Sequence, residues 1–322
     1  MHRFVICIFT GLLFLTQSSL LLPAQETADA TAQAADSDSK PEYVRIRRNE
    51  RRLATALETS VILFGNSKRY PQTTVELIGA IHLGEARYYD QLNSMFRKYD
   101  VLLFEAVMPE EAVRQGFRPG IGGGGRRLTD EDQWTEAKVG LQAISVLQLG
   151  AKDALGLEFQ LAGVDYTSRN FVHADMTQEE FEASMAKRGE SFSQMLAREM
   201  GKAALKQQNV NPLAQSLDLA LSLLSSDRKY RVRRIAAVEL TRANAGDAFA
   251  GADGTSTIIT ERNIKALQVL KAQLKKGRKR IGLFYGAGHF PDMEKRVLDE
   301  FGYERLSEKW VTAWELRPPA AK

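Results

Sequence analysis

His82 and His289, two of only four histidines in the chain, stand in matching phrases, Gly79-Ala80-Ile81-His82-Leu83-Gly84-Glu85 and Gly286-Ala287-Gly288-His289-Phe290-Pro291-Asp292. Imidazole exchanges its proton near neutral pH and is a common metal ligand, so two rings at equivalent positions can serve as bases or as nitrogen donors. An apolar run precedes each phrase, Thr74-Val75-Glu76-Leu77-Ile78 and Arg280-Ile281-Gly282-Leu283-Phe284-Tyr285, rich in β-branched or aromatic residues and bounded by glycine. A helical pattern follows each. Pro291 falls where a first helical turn tolerates a missing N–H, and an acidic residue lies three positions past each histidine. Groups at the carboxyl ends of strands in an open α/β sheet gather in one crevice, so the two units are expected to form one site.

Carboxylates near these histidines supply the remaining chemistry. Val101-Leu102-Leu103-Phe104 reads as a buried strand ending in Glu105, which must be paired, ligating or solvent-reaching. The strand follows the helix after His82, so it is expected parallel and adjacent to the first strand, with Glu105 beside His82; a salt bridge to Arg87 is the structural alternative. Glu85 is a candidate base or fourth ligand. Gln160-Leu161-Ala162-Gly163-Val164 is expected to be a further strand that delivers Asp165, as a ligand, a partner of a histidine, or a turn residue. His173 reads as a loop or cap histidine before the capping pattern Thr177-Gln178-Glu179-Glu180. Arg262, in Glu261-Arg262-Asn263 near the start of a helix from Thr255 to about Lys276, would supply a fixed cation if it faces the sheet edge, and would be a solvated residue otherwise.

Two imidazoles and a carboxylate, His82, His289 and Glu105, suit a divalent metal with an open coordination position, and the types admit Zn, Mn, Co or Fe(II). If Glu105 is instead the base, the third ligand must come from Glu85, Asp165 or His173. The one cysteine, Cys7, lies in the N-terminal leader, so thiolate ligation and disulfides are excluded from the mature chain.

The elements that must position these residues belong to a mixed, largely parallel α/β sheet flanked by helices, with a mostly helical insertion between its halves. Residues 1–24 read as a secretory signal cut near Ala24, residues 25–42 as a disordered linker, and residues 43–317 as one domain with the insertion at about 177–254. The protein is expected in the periplasm or outside the cell; an uncleaved leader would instead anchor it to a membrane, facing outward. The glycines between Gly116 and Arg127 lack the Lys and Ser/Thr of a phosphate loop and read as a flexible loop, followed by a helix over 128–149. Basic clusters, among them Arg228-Lys229-Arg231-Arg233-Arg234, read as solvated faces. With a net charge of +4 and no helix-turn-helix, zinc-finger or RNA-binding aromatic signature, no nucleic-acid function is read.

The paired Gly-Ala-Ile-His82 and Gly-Ala-Gly-His289, Glu105 after its apolar strand, and Glu261-Arg262-Asn263 before the second motif together resemble the TraB/PrgY/GumN family, which includes the TIKI proteases. The resemblance spans most of Thr73 to Glu315. It implies an α/β fold related to the erythromycin-esterase and ChaN-like group and a metal-dependent hydrolytic site at His82, Glu105 and His289, with Arg262 matching the family arginine. Peptide cleavage in the TIKI branch makes a peptide or protein the expected substrate. Two other functions are compatible with the same crevice: a binding or regulatory protein holding peptide, haem or metal without turnover, and a metal-free esterase with a histidine general base.

Overall fold

A computed structural model describes residues 41–119, 155–191, 227–242 and 253–318. The leader, the glycine-rich stretch beyond residue 119, the helix expected over 128–149 and residues 192–226 and 243–252 of the insertion lie outside the described residues.

Four strands make the parallel half of the sheet: β3 (Thr74–Ala80), β5 (Val101–Phe104), β7 (Phe171–His173) and β8 (Arg280–Gly286). Their order is β3-β8-β5-β7. The antiparallel half is built on the long β2 (Ala54–Gly65), which pairs with β1 (Val44–Arg48), β3 and β9 (Glu304–Glu315). This is the expected mixed sheet. A two-stranded ribbon, β4 (Leu83–Gly84) with β6 (Glu158–Phe159), sits beside it.

The parallel strands are largely apolar because both faces are covered. Successive side chains point to opposite faces, so Ile78, Leu102 and Phe284 join one core while Leu77, Leu103 and Leu283 join the other. Helix α1 (Ala86–Phe96) covers the first core with Tyr88, Tyr89, Leu92 and Phe96. Helices α6 (Arg262–Lys275) and α7 (Phe290–Phe301) cover the second, α7 through Met293, Val297 and Phe301 at a spacing of one helical turn. Between them in sequence come two short helices, α2 (Glu110–Arg114) and α3 (Gln160–Gly163), then α4 (Gln178–Arg188) and α5 (Arg228–Arg242). The Thr177 capping pattern is realised as a capping box with Glu180 at the start of α4.

Three expectations are corrected. β5 is parallel to β3 but not adjacent to it, because β8 lies between them and pairs with both. The run from Gln160 is a single helical turn, not a strand. Gly163 lies so close to the Tyr89 ring that a Cβ there would enter it, and Asn93 Nδ2 donates to the Gly163 carbonyl at 2.8 Å, which seats the turn on α1 rather than in the sheet. The strand beside β5 is β7, held at its start by Asn170, whose side-chain amide donates to the Phe96 and Tyr99 carbonyls. The cluster around Arg233 is likewise not wholly solvated. Arg233 is 1% exposed and donates to the carbonyls of Leu155, Gly156 and Glu315 and to Glu85.

Arg233→Met should lower unfolding free energy by roughly 3 kcal/mol, because it leaves buried carbonyls and Glu85 without their donor. Chemical denaturation of the variant checks this; a change below about 0.5 kcal/mol would show that water replaces the guanidinium at no cost.

Candidate functional site

Parallel register decides what meets at the carboxyl edge of the sheet. Ala80 pairs with Gly286, and Phe104 lies level with both Phe284 and His173. The next residues along those strands therefore emerge together: His82 two past Ala80, Glu105 one past Phe104, Asp175 two past His173 and His289 three past Gly286. Glu105 N donates to the Phe284 carbonyl at 3.2 Å, which keeps this carboxylate residue in line with its strand.

Convergence is densest over Gly286. A Cβ placed on that glycine would lie 3.3 Å from Glu105 Oε2 and 3.8 Å from both His82 Nε2 and His289 Cδ2. The missing side chain thus leaves a carbon-sized cradle walled by the carboxylate and both imidazoles. His82, His289 and Glu105 form the common site expected from the repeated phrases. His82 is 9% exposed and His289 is fully buried, so both rings lie beneath the surface.

Arg262 is the hub. Its Nε and Nη2 donate to the two oxygens of Asp175 at 2.9 and 2.6 Å, a bidentate fork, while Nη2 also donates to Glu105 Oε1 at 2.6 Å. A π-helical turn, Thr257–Glu261, leads into α6 and delivers Arg262 and Asn263 inward together, both fully buried. Glu261, the third polar residue of the run, turns away toward Arg188 at 3.6 Å. Glu105 is therefore ion-paired with Arg262 and not with Arg87, which bonds Glu85 and Glu315. Its second oxygen, Oε2, accepts from Gly286 N at 2.6 Å.

The surroundings fix the charge states. Burial alone would raise the Glu105 carboxyl, but Arg262 and the two imidazoles outweigh it and hold the group well below the usual carboxylate range. Burial also opposes the Arg262 charge, and Asp175 and Glu105 overcome it, so the guanidinium stays charged. Burial drives His82 down from 6.5 to about 4, against the pull of Glu105, so the ring is neutral at pH 7. Gln160 lies beside His82; its backbone N–H donates to the His82 carbonyl at 2.8 Å, and its side-chain amide donates to the Tyr166 hydroxyl at 2.9 Å. Tyr285 closes the floor, edge-on to His289 with ring centroids 5.3 Å apart and its hydroxyl bonded to the Ala174 carbonyl.

Other residues proposed from the sequence lie elsewhere. Glu85 is taken by Arg233, at 2.5 Å, and by Arg87, at 2.7 Å, because β4 turns the chain away immediately after His82. Asp165 sits in an exposed turn, where its Oδ1 accepts from Thr167 N at 3.0 Å. His173 ends β7, with Nε2 bonded to the Ala106 carbonyl at 2.6 Å and its ring edge-on to Phe104. Conversely, Asp175, Asn263, Gly286 and Gln160 belong to the site and were not singled out. The signal for Asp175 was its place two residues past an apolar Phe-Val-His run.

The residue types fit a divalent metal better than their arrangement does. Both Glu105 oxygens are already engaged, Arg262 supplies the cation next to the carboxylates, and among the described residues no group of three His, Cys, Asp or Glu is arranged to hold a metal.

Arg262→Met, which leaves Glu105 and Asp175 buried without their cation, should cost about 3–5 kcal/mol of stability. Denaturant titration of wild type and variant tests it, and a loss under about 1 kcal/mol would mean that the carboxylates are not held by this residue. No protein-family model, curated protein or solved structure matches the chain.

Proposed function

We propose that the protein is a hydrolase that activates water at the His82, His289, Glu105 and Arg262 site. The observation that carries this reading is the Gly286 cradle, which brings a neutral imidazole nitrogen and an ionised carboxylate to one small space at the edge of the sheet.

His82 Nε2 is the base. It takes a proton from a water in the cradle as the water oxygen bonds to a substrate carbonyl carbon; when the acyl bond breaks, the same proton passes to the departing nitrogen or oxygen. Two carboxylates facing one guanidinium leave the neighbourhood with an excess of negative charge, which favours the imidazolium formed midway. The resemblance to the TraB/PrgY/GumN proteins makes a peptide bond the first substrate class to test and an ester the second. The leader read over residues 1–24 supports an activity outside the cytoplasm; among the described residues, no helix is long and apolar enough to cross a membrane.

A metal-dependent form of the same hydrolase is the second reading, favoured by the two imidazoles that flank one carboxylate. Here His82, His289 and Glu105 would hold the ion, which would supply Lewis acidity and a more acidic water. Loading would require Arg262 to give up Glu105 and rely on Asp175 alone.

Peptide and ester libraries assayed with and without chelator test both forms, together with direct metal analysis. Activity that survives chelation supports the metal-free form, and loss restored by stoichiometric metal supports the other. Full activity in both His82→Ala and His289→Ala would rule out this site, and stoichiometric ligand binding without product would favour a binding protein that uses the same crevice. For the metal-free form, kcat/KM should hold from neutral pH down to roughly pH 5 and then fall about tenfold per unit below the His82 midpoint of about 4. An acid limb centred near 6.5 would show that His82 is not the base. Gly286→Ala, whose φ of −52° suits alanine, should keep its fold within about 1 kcal/mol while a methyl fills the cradle and activity is lost; wild-type turnover by the folded variant would place the reaction elsewhere.

A further inference from the structure

The hydrogen bonds around Asn263 determine which nitrogen of His289 carries the proton. Asn263 Nδ2 donates to the His289 carbonyl at 3.0 Å and to Asp292 Oδ2 at 2.8 Å. Both partners are acceptors, so the amide cannot be reversed without setting oxygen against oxygen twice. Arg296 holds Asp292 in place from one turn further along α7, at 2.9 Å. Asn263 Oδ1 must then be the atom that faces His289 Nδ1, at 2.7 Å. An amide oxygen only accepts, so Nδ1 must bear the hydrogen.

We propose that Asn263 is a positioning residue that locks His289 as its Nδ1–H tautomer and so turns an unprotonated Nε2 toward Arg262 and Glu105, beside the His82 base. That nitrogen is the one facing the reaction machinery: Nε2 lies 3.4 Å from Arg262 Nη1 and 3.5 Å from Glu105 Oε1. Unprotonated, this nitrogen accepts from the guanidinium. Asn263 is fully buried, and its side-chain hydrogen bonds go to His289 and Asp292, so it reaches the cradle through His289. The same polar chain also joins α6 to the start of α7, so the tautomer is set by how the two helices pack.

The role in catalysis rests on the hydrolase reading, whereas the tautomer does not, and the experiment separates them. Ring nitrogen NMR on the full chain at neutral pH, with the His289 signals assigned by their loss in His289→Gln, reads the tautomer without any substrate. Wild type should show a protonated Nδ1 and an unprotonated Nε2. Asn263→Leu, confirmed folded by circular dichroism, should lose this preference, and Asn263→Gln, which keeps an amide able both to donate and to accept, should retain part of it. With a turned-over substrate, Asn263→Leu should lower kcat about 10- to 100-fold with KM little changed, as for other residues that orient a histidine, and Asn263→Gln should recover part of the loss. A wild-type ring protonated on Nε2, or a folded Asn263→Leu that keeps the Nδ1–H form, overturns the proposal. Failure to find any substrate would count against the hydrolase reading and leave the NMR result decisive for the lock.

Discussion

A guanidinium with no exposure to solvent must be surrounded by acceptors, and satisfying Arg262 fixes most of the geometry at this end of the molecule. Its acceptors come from the end of β5 and from just beyond β7, while the residue itself stands at the head of α6. Three separate elements are thereby registered against one another. The pairing is not a cheap route to stability, since apolar groups of similar volume often do as well in a core. What the ion cluster adds is direction. It holds a carboxylate at a chosen angle and keeps it ionised, and it brings a positive charge to within 3.4 Å of an imidazole nitrogen.

The backbone contributes as much as the side chains. Gly286 supplies an N–H to Glu105 and withholds a Cβ from the space between the carboxylate and the rings. His289 is held from below by Asn263 and edge-on by Tyr285, and His82 is flanked by Gln160. Each working ring therefore has a polar amide neighbour from a different element. Burial lowers the proton affinity of His82 and nearby negative charge partly restores it, a balance that keeps the ring neutral without making it inert.

The repeated phrase was legible in the sequence because it reports a real structural equivalence: Ala80 and Gly286 are paired in register on neighbouring parallel strands. Glu105 was legible for a related reason, as a carboxylate ending a run of four apolar residues. The rest depended on facts that local pattern does not carry. Gln160 to Val164 resembled a strand more than Phe171 to His173 did, so Asp165 was favoured over Asp175; the decision lay in the fit of Gly163 against Tyr89, a contact between distant segments. Three consecutive polar residues at 261–263 could not reveal which two face inward, since the π-helical turn sets the phase of α6. Glu85 was drawn in by its closeness to His82 along the chain, although a two-residue strand sends it to Arg233.

The middle of the sheet is assembled from distant parts of the chain: Arg262 meets Glu105 across 157 residues, and Gly286 meets it across 181. Loop closure over such separations is slow and entropically costly, so the contacts that create the crevice belong to the late stages of folding. During synthesis the first histidine and the glutamate leave the ribosome long before their partners exist. A nascent or truncated chain ending before α6 has neither the cation nor the second imidazole, and the crevice is incomplete until almost the whole domain has been made.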